Sequence, residues 1–126
     1  MNYTIEKVTT LIGARRYGDS DASIGFILTD SRSLCFPEET LFFALKSDRN
    51  DGHNYIPELY RRGVRNFVVS EVPMGWASDY PEANFLKVVN TLEALQRLAE
   101  RHRDEFNIPI VGITGSNGKT LSLIHI

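Results

Sequence analysis

The chain has 126 residues, a formal net charge of −2 and 42% apolar residues, values typical of a globular domain with its own core. The small net charge argues against a nucleic-acid-binding protein, because such proteins carry a strongly basic face. Cys35 is the single cysteine, which excludes an internal disulfide and fits a reducing compartment. No apolar run is long enough to cross a membrane. We therefore expect a cytoplasmic protein with neither a nucleic-acid partner nor a membrane insertion.

The N-terminal part of the chain begins with a helical pattern and continues into a strand. Residues 4–12 have apolar side chains at helical spacing, and Gly13 follows as a residue that can end the helix. We interpret residues 15–17 (Arg-Arg-Tyr) as solvated rather than as a phosphate contact. Residues 23–29 predict a strand with Gly25 at a bulge. The polar residues 30–33 come next, at a strand end where α/β proteins hold their ligands.

The next segment has the pattern of a βαβ unit. Residues 41–45 (Leu-Phe-Phe-Ala-Leu) are continuously apolar and predict a buried strand, with Lys46 directly at its end. A loop rich in turn-forming residues leads to a helix over about residues 53–62, and Gly63 stands where a left-handed cap would end it. Residues 64–70 predict the second strand. The order of strand, helix and strand favours parallel pairing and an α/β fold.

A further strand and helix follow a connection over residues 71–84, in which we expect Trp76 to be packed. Residues 85–89 predict the strand, and Asn90 predicts the helix N-cap, with Glu93 completing a capping box. The core-facing stripe of this helix is predicted to contain Leu92, Leu95, Leu98, Ala99 and Phe106. His102 lies in a charged run of alternating sign, so we expect it to be exposed rather than a metal ligand.

The last part of the chain has the pattern of a phosphate-binding loop. Residues 108–113 form an apolar run typical of a buried strand, and a glycine-rich turn leads from it to Lys119 and Thr120. In such a loop the backbone N–H groups bind phosphate oxygens, the lysine supplies a cation, and the threonine hydroxyl ligates Mg²⁺. The general pattern has a glycine where Ile113 stands. The alternative is a strand-to-helix turn with an incidental Gly-Lys-Thr.

Five motifs occur in one order along the chain. They are residues 30–32 (Asp-Ser-Arg), 41–46 (Leu-Phe-Phe-Ala-Leu-Lys), 51–53 (Asp-Gly-His), Gly63, and 112–120 (Gly-Ile-Thr-Gly-Ser-Asn-Gly-Lys-Thr). Together they closely resemble the N-terminal part of the Mur ligases, the ATP-dependent amide-forming enzymes of peptidoglycan synthesis. The resemblance implies a small mixed sheet flanked by helices, followed by the first strand and phosphate loop of a truncated P-loop ATPase domain.

The resemblance also implies an activity for the parent protein. Members of this family bind a UDP-N-acetylmuramoyl-peptide with the first domain, ATP and Mg²⁺ with the second, and the incoming amino acid or dipeptide with the third. ATP phosphorylates the substrate carboxylate, and an amine then attacks the acyl phosphate. With Ser116 in its phosphate loop, the chain is more similar to the family branch that adds D-alanyl-D-alanine. The branch adding the third peptide residue is the alternative, and a non-catalytic nucleotide-sugar-binding module is a second one.

The resemblance assigns the candidate site residues. By match to the family, the UDP-sugar site contains Asp30, Ser31, Arg32 and Lys46. The alternatives are that Asp30 and Arg32 pair to hold their loop, and that residues 51–53 form only a turn with a helix cap. The ATP site contains Gly115, Ser116, Asn117, Gly118, Lys119 and Thr120. The resemblance gives Lys119 a catalytic role at the transferring γ-phosphoryl group, and it makes Thr120 the Mg²⁺ ligand.

These assignments predict a division of the chain into three parts. Residues 1–107 are predicted to form the UDP-sugar-binding domain, and residues 108–120 begin the truncated central ATP-binding domain. Residues 121–126 are apolar where the family continues with mixed polarity, so we interpret them as a non-native tail. The chain alone is expected to be inactive. Release of phosphate that depends on ATP and D-alanyl-D-alanine would contradict that expectation.

Overall fold

The computed structural model describes residues 3–29, 34, 36–46, 51–106 and 123–125. Within these residues the strands are, in chain order, β1 (Tyr3–Thr4), β2 (Arg15–Tyr17), β3 (Ser23–Ile24), β4 (Phe26–Leu28), β5 (Thr40–Phe43), β6 (Asn66–Val69), β7 (Asn84–Lys87) and β8 (Leu123–His125). The α-helices are α1 (Ile5–Ile12), α2 (Ile56–Arg61), α3 (Trp76–Asp79) and α4 (Thr91–Phe106). Short 3₁₀ turns at Pro37–Glu39 and Gly52–Tyr55 precede β5 and α2.

The main sheet is mixed, as the sequence predicts. Its strands lie in the order β2-β7-β6-β5-β4-β8, and β1 pairs with β3 in a separate two-stranded ribbon. The strands β4, β5, β6 and β7 are parallel, whereas β2 and β8 run antiparallel to their neighbours. The carboxyl ends of the four parallel strands therefore meet at one edge, called here the carboxyl edge.

Both faces of the parallel strands are covered, which explains the continuous apolarity of β5. Leu41 and Phe43 point to the face covered by α1 and α4, whereas Phe42 and Ala44 pack with α2 on the other face. All four of these side chains are buried. Alternate residues of a strand point to opposite faces, so the middle of a strand between two layers of helices is apolar on both faces. The predicted buried strand is confirmed.

The first helix has the ends that its sequence predicts. The Thr4 hydroxyl oxygen accepts a hydrogen bond from the Lys7 backbone N–H at 3.1 Å, which caps the N-terminus. Gly13 ends the helix with φ of 66°, a left-handed conformation that glycine adopts without strain. Ile5, Val8 and Ile12 are buried against the sheet and α4.

The last long helix begins as predicted and buries only part of the predicted stripe. The Asn90 side-chain oxygen accepts the Glu93 N–H at 3.1 Å, as expected of an N-cap. Leu95 and Leu98 are buried, in agreement with the prediction, but Leu92 is 46% exposed. The prediction for Leu92 was wrong because the helix turns Ala94 and Thr91 toward the sheet instead.

The predicted strand over residues 23–29 is two strands rather than one. Ser23–Ile24 pairs with β1, whereas Phe26–Leu28 pairs with β5 in the main sheet. Gly25 lies between them, is buried, and donates its N–H to the Glu39 carbonyl oxygen at 2.9 Å. The glycine marks the place where the chain passes from one sheet to the other, instead of a bulge within one strand.

The Arg-Arg-Tyr segment forms β2, which the sequence did not predict. Arg16 is half-buried: its guanidinium donates to the Ser20 carbonyl oxygen at 2.7 Å and to the Asn84 side-chain oxygen at 3.2 Å. Arg15 is exposed and lies over the ring of Tyr17, 5.3 Å from its centroid. The interpretation as a solvated segment holds for Arg15 and is wrong for Arg16, which connects the edge strand to the core of the sheet.

Three further predicted elements are confirmed with shifted bounds, and one lies outside the described residues. Trp76 packs edge-on against Phe85 at 6.1 Å, and the connection around it contains the short helix α3. The strands predicted over residues 64–70 and 85–89 correspond to β6 and β7. The backbone of Leu123–His125 pairs with β4, and residues 107–122, with the predicted strand 108–113, lie outside the description. Among the described residues no helix combines the length and apolarity needed to span a bilayer.

Candidate functional site at the carboxyl edge

The turn that follows β5 is fixed by its own backbone groups. The Ala44 N–H donates to the Val68 carbonyl oxygen at 2.9 Å, and the Ala44 carbonyl oxygen accepts the Thr91 hydroxyl at 3.0 Å. The Leu45 carbonyl oxygen accepts the Gly52 N–H at 2.7 Å. Neighbouring strand β6, helix α4 and the 3₁₀ turn before α2 therefore all hold this one strand end.

Gly52 is required at this position by close contact with the turn. It is buried, and a Cβ atom placed on it would lie 2.8 Å from the Leu45 nitrogen and 2.9 Å from the Ala44 Cα. Real Cβ atoms do not approach backbone atoms so closely, and both contacts are to main chain that cannot rotate away. The glycine of the Asp-Gly-His motif thus lets the two chain segments touch.

Lys46 is the predicted site residue that the structure describes. It is exposed at the carboxyl edge, and its backbone forms an isolated antiparallel bridge with Asp51. The bridge closes the base of the loop of residues 47–50, which lie outside the described residues. The ammonium group of Lys46 is therefore carried by a braced turn at the edge where ligands of open α/β sheets bind.

Asp51 caps the 3₁₀ turn and has a perturbed acidity. Its Oδ1 atom accepts the His53 backbone N–H at 3.0 Å and lies 2.6 Å from the His53 Nδ1 atom. The backbone N–H of His53 is the main reason why the pKa of the Asp51 carboxyl group lies below its ordinary value. The imidazole and the Lys46 charge act in the same direction, while desolvation opposes them. Asp51 is thus held in its ionised form.

His53 links this turn to the end of the next strand. Its Nε2 atom accepts the Ser70 backbone N–H at 3.1 Å, and the Ser70 hydroxyl oxygen lies 3.4 Å away. Sequence reasoning predicted the turn and the cap for residues 51–53 and missed this contact. The only signal in the sequence was a polar residue, Ser70, at a predicted strand end.

The other predicted site residues lie outside the described part of the chain. Asp30, Ser31 and Arg32 follow β4 in sequence, and β4 is the parallel neighbour of β5. The carboxyl ends of these two strands are therefore adjacent, which is compatible with a common site. The ATP-site residues Gly115, Ser116, Asn117, Gly118, Lys119 and Thr120 also lie outside the described residues.

Two hollows of the described surface lie away from Lys46. One of about 530 Å³ is lined by Arg65, Asn66 and Asn84, at the amino ends of β6 and β7. Another of about 500 Å³ lies beside Trp76 and Tyr80. Neither is lined by Lys46. No cluster of three or more acidic, histidine or cysteine side chains suited to a metal occurs among the described residues.

We expect Asp51→Asn to remove a pH-dependent part of the stability. Because folding lowers the pKa of Asp51, its contribution is present above the pKa of the unfolded chain and is lost as pH falls through the folded pKa. The parent chain should therefore melt at a higher temperature than Asp51→Asn at about pH 7, and the difference should shrink below about pH 4. Thermal unfolding followed by circular dichroism measures both values.

The matched control for this experiment is Asp21→Asn, at an exposed aspartate in the loop before β3. It should shift the melting temperature by less than Asp51→Asn at about pH 7. A difference between the parent chain and Asp51→Asn that stays constant from about pH 7 to about pH 3 would contradict the role given to the Asp51 carboxylate.

A comparison with protein families decides the classification of the chain. Residues 23–103, more than half of the chain, match the model of the Mur ligase family, catalytic domain. The chain belongs to the Mur ligase family. The match confirms the family that the five motifs indicate.

Curated relatives of this Mur ligase chain are ligases by name. The UDP-N-acetylmuramoyl-tripeptide–D-alanyl-D-alanine ligase of Synechocystis sp. is 41% identical over 100 residues, which cover 79% of this chain and 21% of the relative. The ligase of the same name from Bacillus subtilis is 36% identical over 103 residues, with the same coverage of both chains. The UDP-N-acetylmuramoyl-L-alanyl-D-glutamate–2,6-diaminopimelate ligase 1 of Clostridium acetobutylicum is 30% identical over 122 residues, covering 92% of this chain and 24% of that one.

Solved structures support the fold of this Mur ligase chain. The UDP-N-acetylmuramoylalanyl-D-glutamyl-2,6-diaminopimelate–D-alanyl-D-alanyl ligase from Acinetobacter baumannii superposes with a TM-score of 0.67 at 23% identity. The superposition covers 83% of this chain and 22% of that one. The chain thus spans about a fifth of the length of the relatives it matches, among both the curated sequences and the solved structures.

Proposed function

We propose that this chain is the UDP-sugar-binding part of an ATP-dependent ligase that joins D-alanyl-D-alanine to UDP-N-acetylmuramoyl-tripeptide. The observation that carries the proposal is the 41% identity over 79% of the chain to a ligase of that name. The ligase from Bacillus subtilis, at 36% identity, supports it independently. Under this proposal residues 1–107 form the binding domain of a cytoplasmic enzyme.

The geometry of the carboxyl edge supports the binding of a nucleotide diphosphate. Lys46 carries an exposed cation on a turn that three neighbouring elements brace. Asp30, Ser31 and Arg32 follow the adjacent parallel strand in sequence and would add a hydroxyl group and a second cation. A guanidinium group and an ammonium group together suit the charge of a diphosphate, and a hydroxyl group suits a ribose or uracil edge.

The ATP-dependent step belongs to the same proposal. Residues 108–120 would begin the ATP-binding domain, with Lys119 at the transferring phosphoryl group and Thr120 as a ligand of Mg²⁺. In the parent enzyme ATP would phosphorylate the peptide carboxylate and leave as ADP, and the amine of D-alanyl-D-alanine would then attack the acyl phosphate, forming the amide bond and releasing inorganic phosphate.

A second candidate is the related ligase that adds the third residue of the peptide. Relatives named as diaminopimelate ligases from Clostridium acetobutylicum and Cytophaga hutchinsonii are 30% and 28% identical to this chain. The two candidates differ in the nucleotide substrate, because the third-residue ligase takes the dipeptide form. Tighter binding of UDP-N-acetylmuramoyl-dipeptide than of the tripeptide would favour this second candidate.

We expect this chain to bind UDP-N-acetylmuramoyl-tripeptide and Lys46→Ala to weaken that binding about tenfold or more. The loss follows from removing one charge-assisted contact to the diphosphate, which contributes about 1.5–3 kcal/mol. Isothermal titration calorimetry gives the two dissociation constants. A parallel titration with ATP and Mg²⁺ asks separately whether residues 108–120 bind a nucleotide within this chain.

The charge-matched control is Lys7→Ala. Lys7 lies in the first turn of α1. The last turn of α1 leads to β2, which begins beside the carboxyl end of β7. Lys7 is therefore at the end of α1 that lies away from the carboxyl edge. This variant should bind the nucleotide sugar like the parent chain. Equal affinity of Lys46→Ala and the parent chain would remove Lys46 from the site. Absence of any binding by the parent chain would count against the proposed function of this segment.

A further inference from the structure

The imidazole of His53 connects two strand ends at the carboxyl edge. Its Nδ1 atom lies 2.6 Å from the Asp51 carboxylate, beside the turn that follows β5. Its Nε2 atom accepts the backbone N–H of Ser70, which directly follows β6. The ring is largely buried, with 17% of the side chain exposed. The His53 side chain thus joins Asp51 to the residue that follows β6.

The partners of the ring fix its tautomer. Because the Ser70 N–H donates to Nε2, that nitrogen must be the unprotonated acceptor. The proton of the neutral imidazole is then on Nδ1, which donates it to Asp51. Each nitrogen has a single role, so the ring can join the two partners only in this tautomer.

The same contacts argue against a nucleophilic role for Ser70. The order Asp51, His53 and Ser70 is that of an acid, a base and a hydroxyl nucleophile. A base must accept the hydroxyl proton, however, and the single lone pair of Nε2 is directed to the Ser70 backbone N–H at 3.1 Å, whereas the hydroxyl oxygen lies at 3.4 Å. The geometry is that of a clamp between two pieces of backbone.

The clamp, formed by Asp51, His53 and Ser70, is connected to Lys46 through Asp51. The backbones of Lys46 and Asp51 form an isolated antiparallel bridge. The Asp51 carboxylate contacts both the backbone N–H and the imidazole Nδ1 atom of His53. We propose that His53 is a positioning residue for nucleotide-sugar binding, which fixes Lys46 at the carboxyl edge by clamping Asp51 to Ser70. The proposal rests on the proposed function of this edge.

Three substitutions of His53 test the clamp. Alanine removes both contacts of the ring. Glutamine places an amide oxygen about where Nε2 lies, so it can accept the Ser70 N–H. Asparagine is shorter and reaches only the position of Nδ1. We expect His53→Ala and His53→Asn to weaken binding of UDP-N-acetylmuramoyl-tripeptide about tenfold. His53→Gln should bind it nearly as tightly as the parent chain. Melting temperatures of the same variants report whether each has folded. Asn54→Ala, at an exposed neighbour, is the control and should bind like the parent chain.

The outcomes separate the positioning role from the proposed function. If the parent chain binds the nucleotide sugar and a folded His53→Ala binds it equally well, the positioning role is overturned while the proposed function stands. A folded His53→Gln that binds as weakly as His53→Ala would also overturn the clamp. If the parent chain itself does not bind, the proposed function of this segment fails, and the positioning role fails with it.

A spectroscopic measurement tests the clamp without any ligand. Long-range ¹H–¹⁵N correlation of the imidazole in the parent chain should show the proton on Nδ1 at neutral pH, and Ser70→Ala should leave this unchanged because the backbone N–H is retained. Observation of the Nε2–H tautomer would overturn the clamp, because that nitrogen could then not accept from Ser70.

Discussion

Replacing Gly52 with alanine is expected to lower the free energy of unfolding by about 1–3 kcal/mol and to weaken nucleotide-sugar binding in the same variant. The new methyl group would lie 2.8 Å from the Leu45 nitrogen and 2.9 Å from the Ala44 Cα, so one of the two backbone segments must move. That movement strains the 2.7 Å hydrogen bond from the Gly52 N–H to the Leu45 carbonyl oxygen, and we expect it to displace the turn that carries Lys46. Chemical denaturation and calorimetric titration measure the two effects.

The control for this prediction is Asn54→Ala in the same 3₁₀ turn. Asn54 is exposed, so the substitution removes no buried contact and should change the free energy of unfolding by less than about 0.5 kcal/mol. A Gly52→Ala variant as stable as the Asn54→Ala variant would show that the turn can relax at no cost. If Gly52→Ala is destabilised but binds normally, the brace contributes to stability alone.

Replacing Phe67 with alanine is expected to lower the free energy of unfolding by about 3–5 kcal/mol. Phe67 is fully buried in the middle of the parallel strands, stacked on Phe85 at 5.3 Å and edge-on to Phe42 at 6.4 Å. Removing the ring leaves a cavity in the layer between the sheet and α2. Since small domains are stable by only about 5–15 kcal/mol, urea unfolding should detect the loss easily.

Phe36→Ala is the matched control, because it deletes the same ring from a position that is 53% exposed. Its ring stacks on Phe26 at 4.8 Å but already contacts water over half of its surface. We expect a loss below about 1.5 kcal/mol, in proportion to the smaller buried area. Equal losses for the two variants would mean that the core around Phe67 collapses onto the cavity.

The parallel core was predictable because its sequence pattern has one physical cause. A strand covered on both faces favours apolar side chains at successive positions, and Leu41, Phe42 and Phe43 follow that pattern. The helix ends were predictable for a similar reason, since Thr4, Gly13 and Asn90 supply a missing hydrogen bond or a left-handed turn. In these elements local chemistry and the final fold agree.

The segments that the sequence failed to predict depend on distant partners. The strand Arg15–Tyr17 has no alternating apolar pattern, because it pairs at the sheet edge through its backbone and through the contact of Arg16 with Asn84. Gly25 looked like a bulge because nothing local distinguishes a bulge from a passage between two sheets. Leu92 continued the apolar spacing of its helix and yet faces water.

The candidate site likewise has one part that the sequence predicts and one part that depends on distant contacts. The position of Lys46 after an apolar strand could be predicted, because a strand end in an α/β fold is defined by sequence alone. The contact between His53 and Ser70 joins residues 17 positions apart and depends on how β5 and β6 align. Their register is a property of the packed sheet, so neither residue alone indicates the other.

The place of β2 in the sheet has a consequence for the order of assembly. The strands β4, β5 and β6 each pair with the strand that follows in the chain, whereas Arg16 in β2 contacts Asn84, 68 residues away. Closing a longer loop costs more conformational entropy, so within residues 3–106 the pairing of β2 with β7 is more costly to close than the pairings of consecutive strands. During synthesis β2 emerges from the ribosome early and has no partner until β7 has been made. The sheet can therefore grow in chain order from β4 to β7, and it takes up β2 only after β7 has emerged.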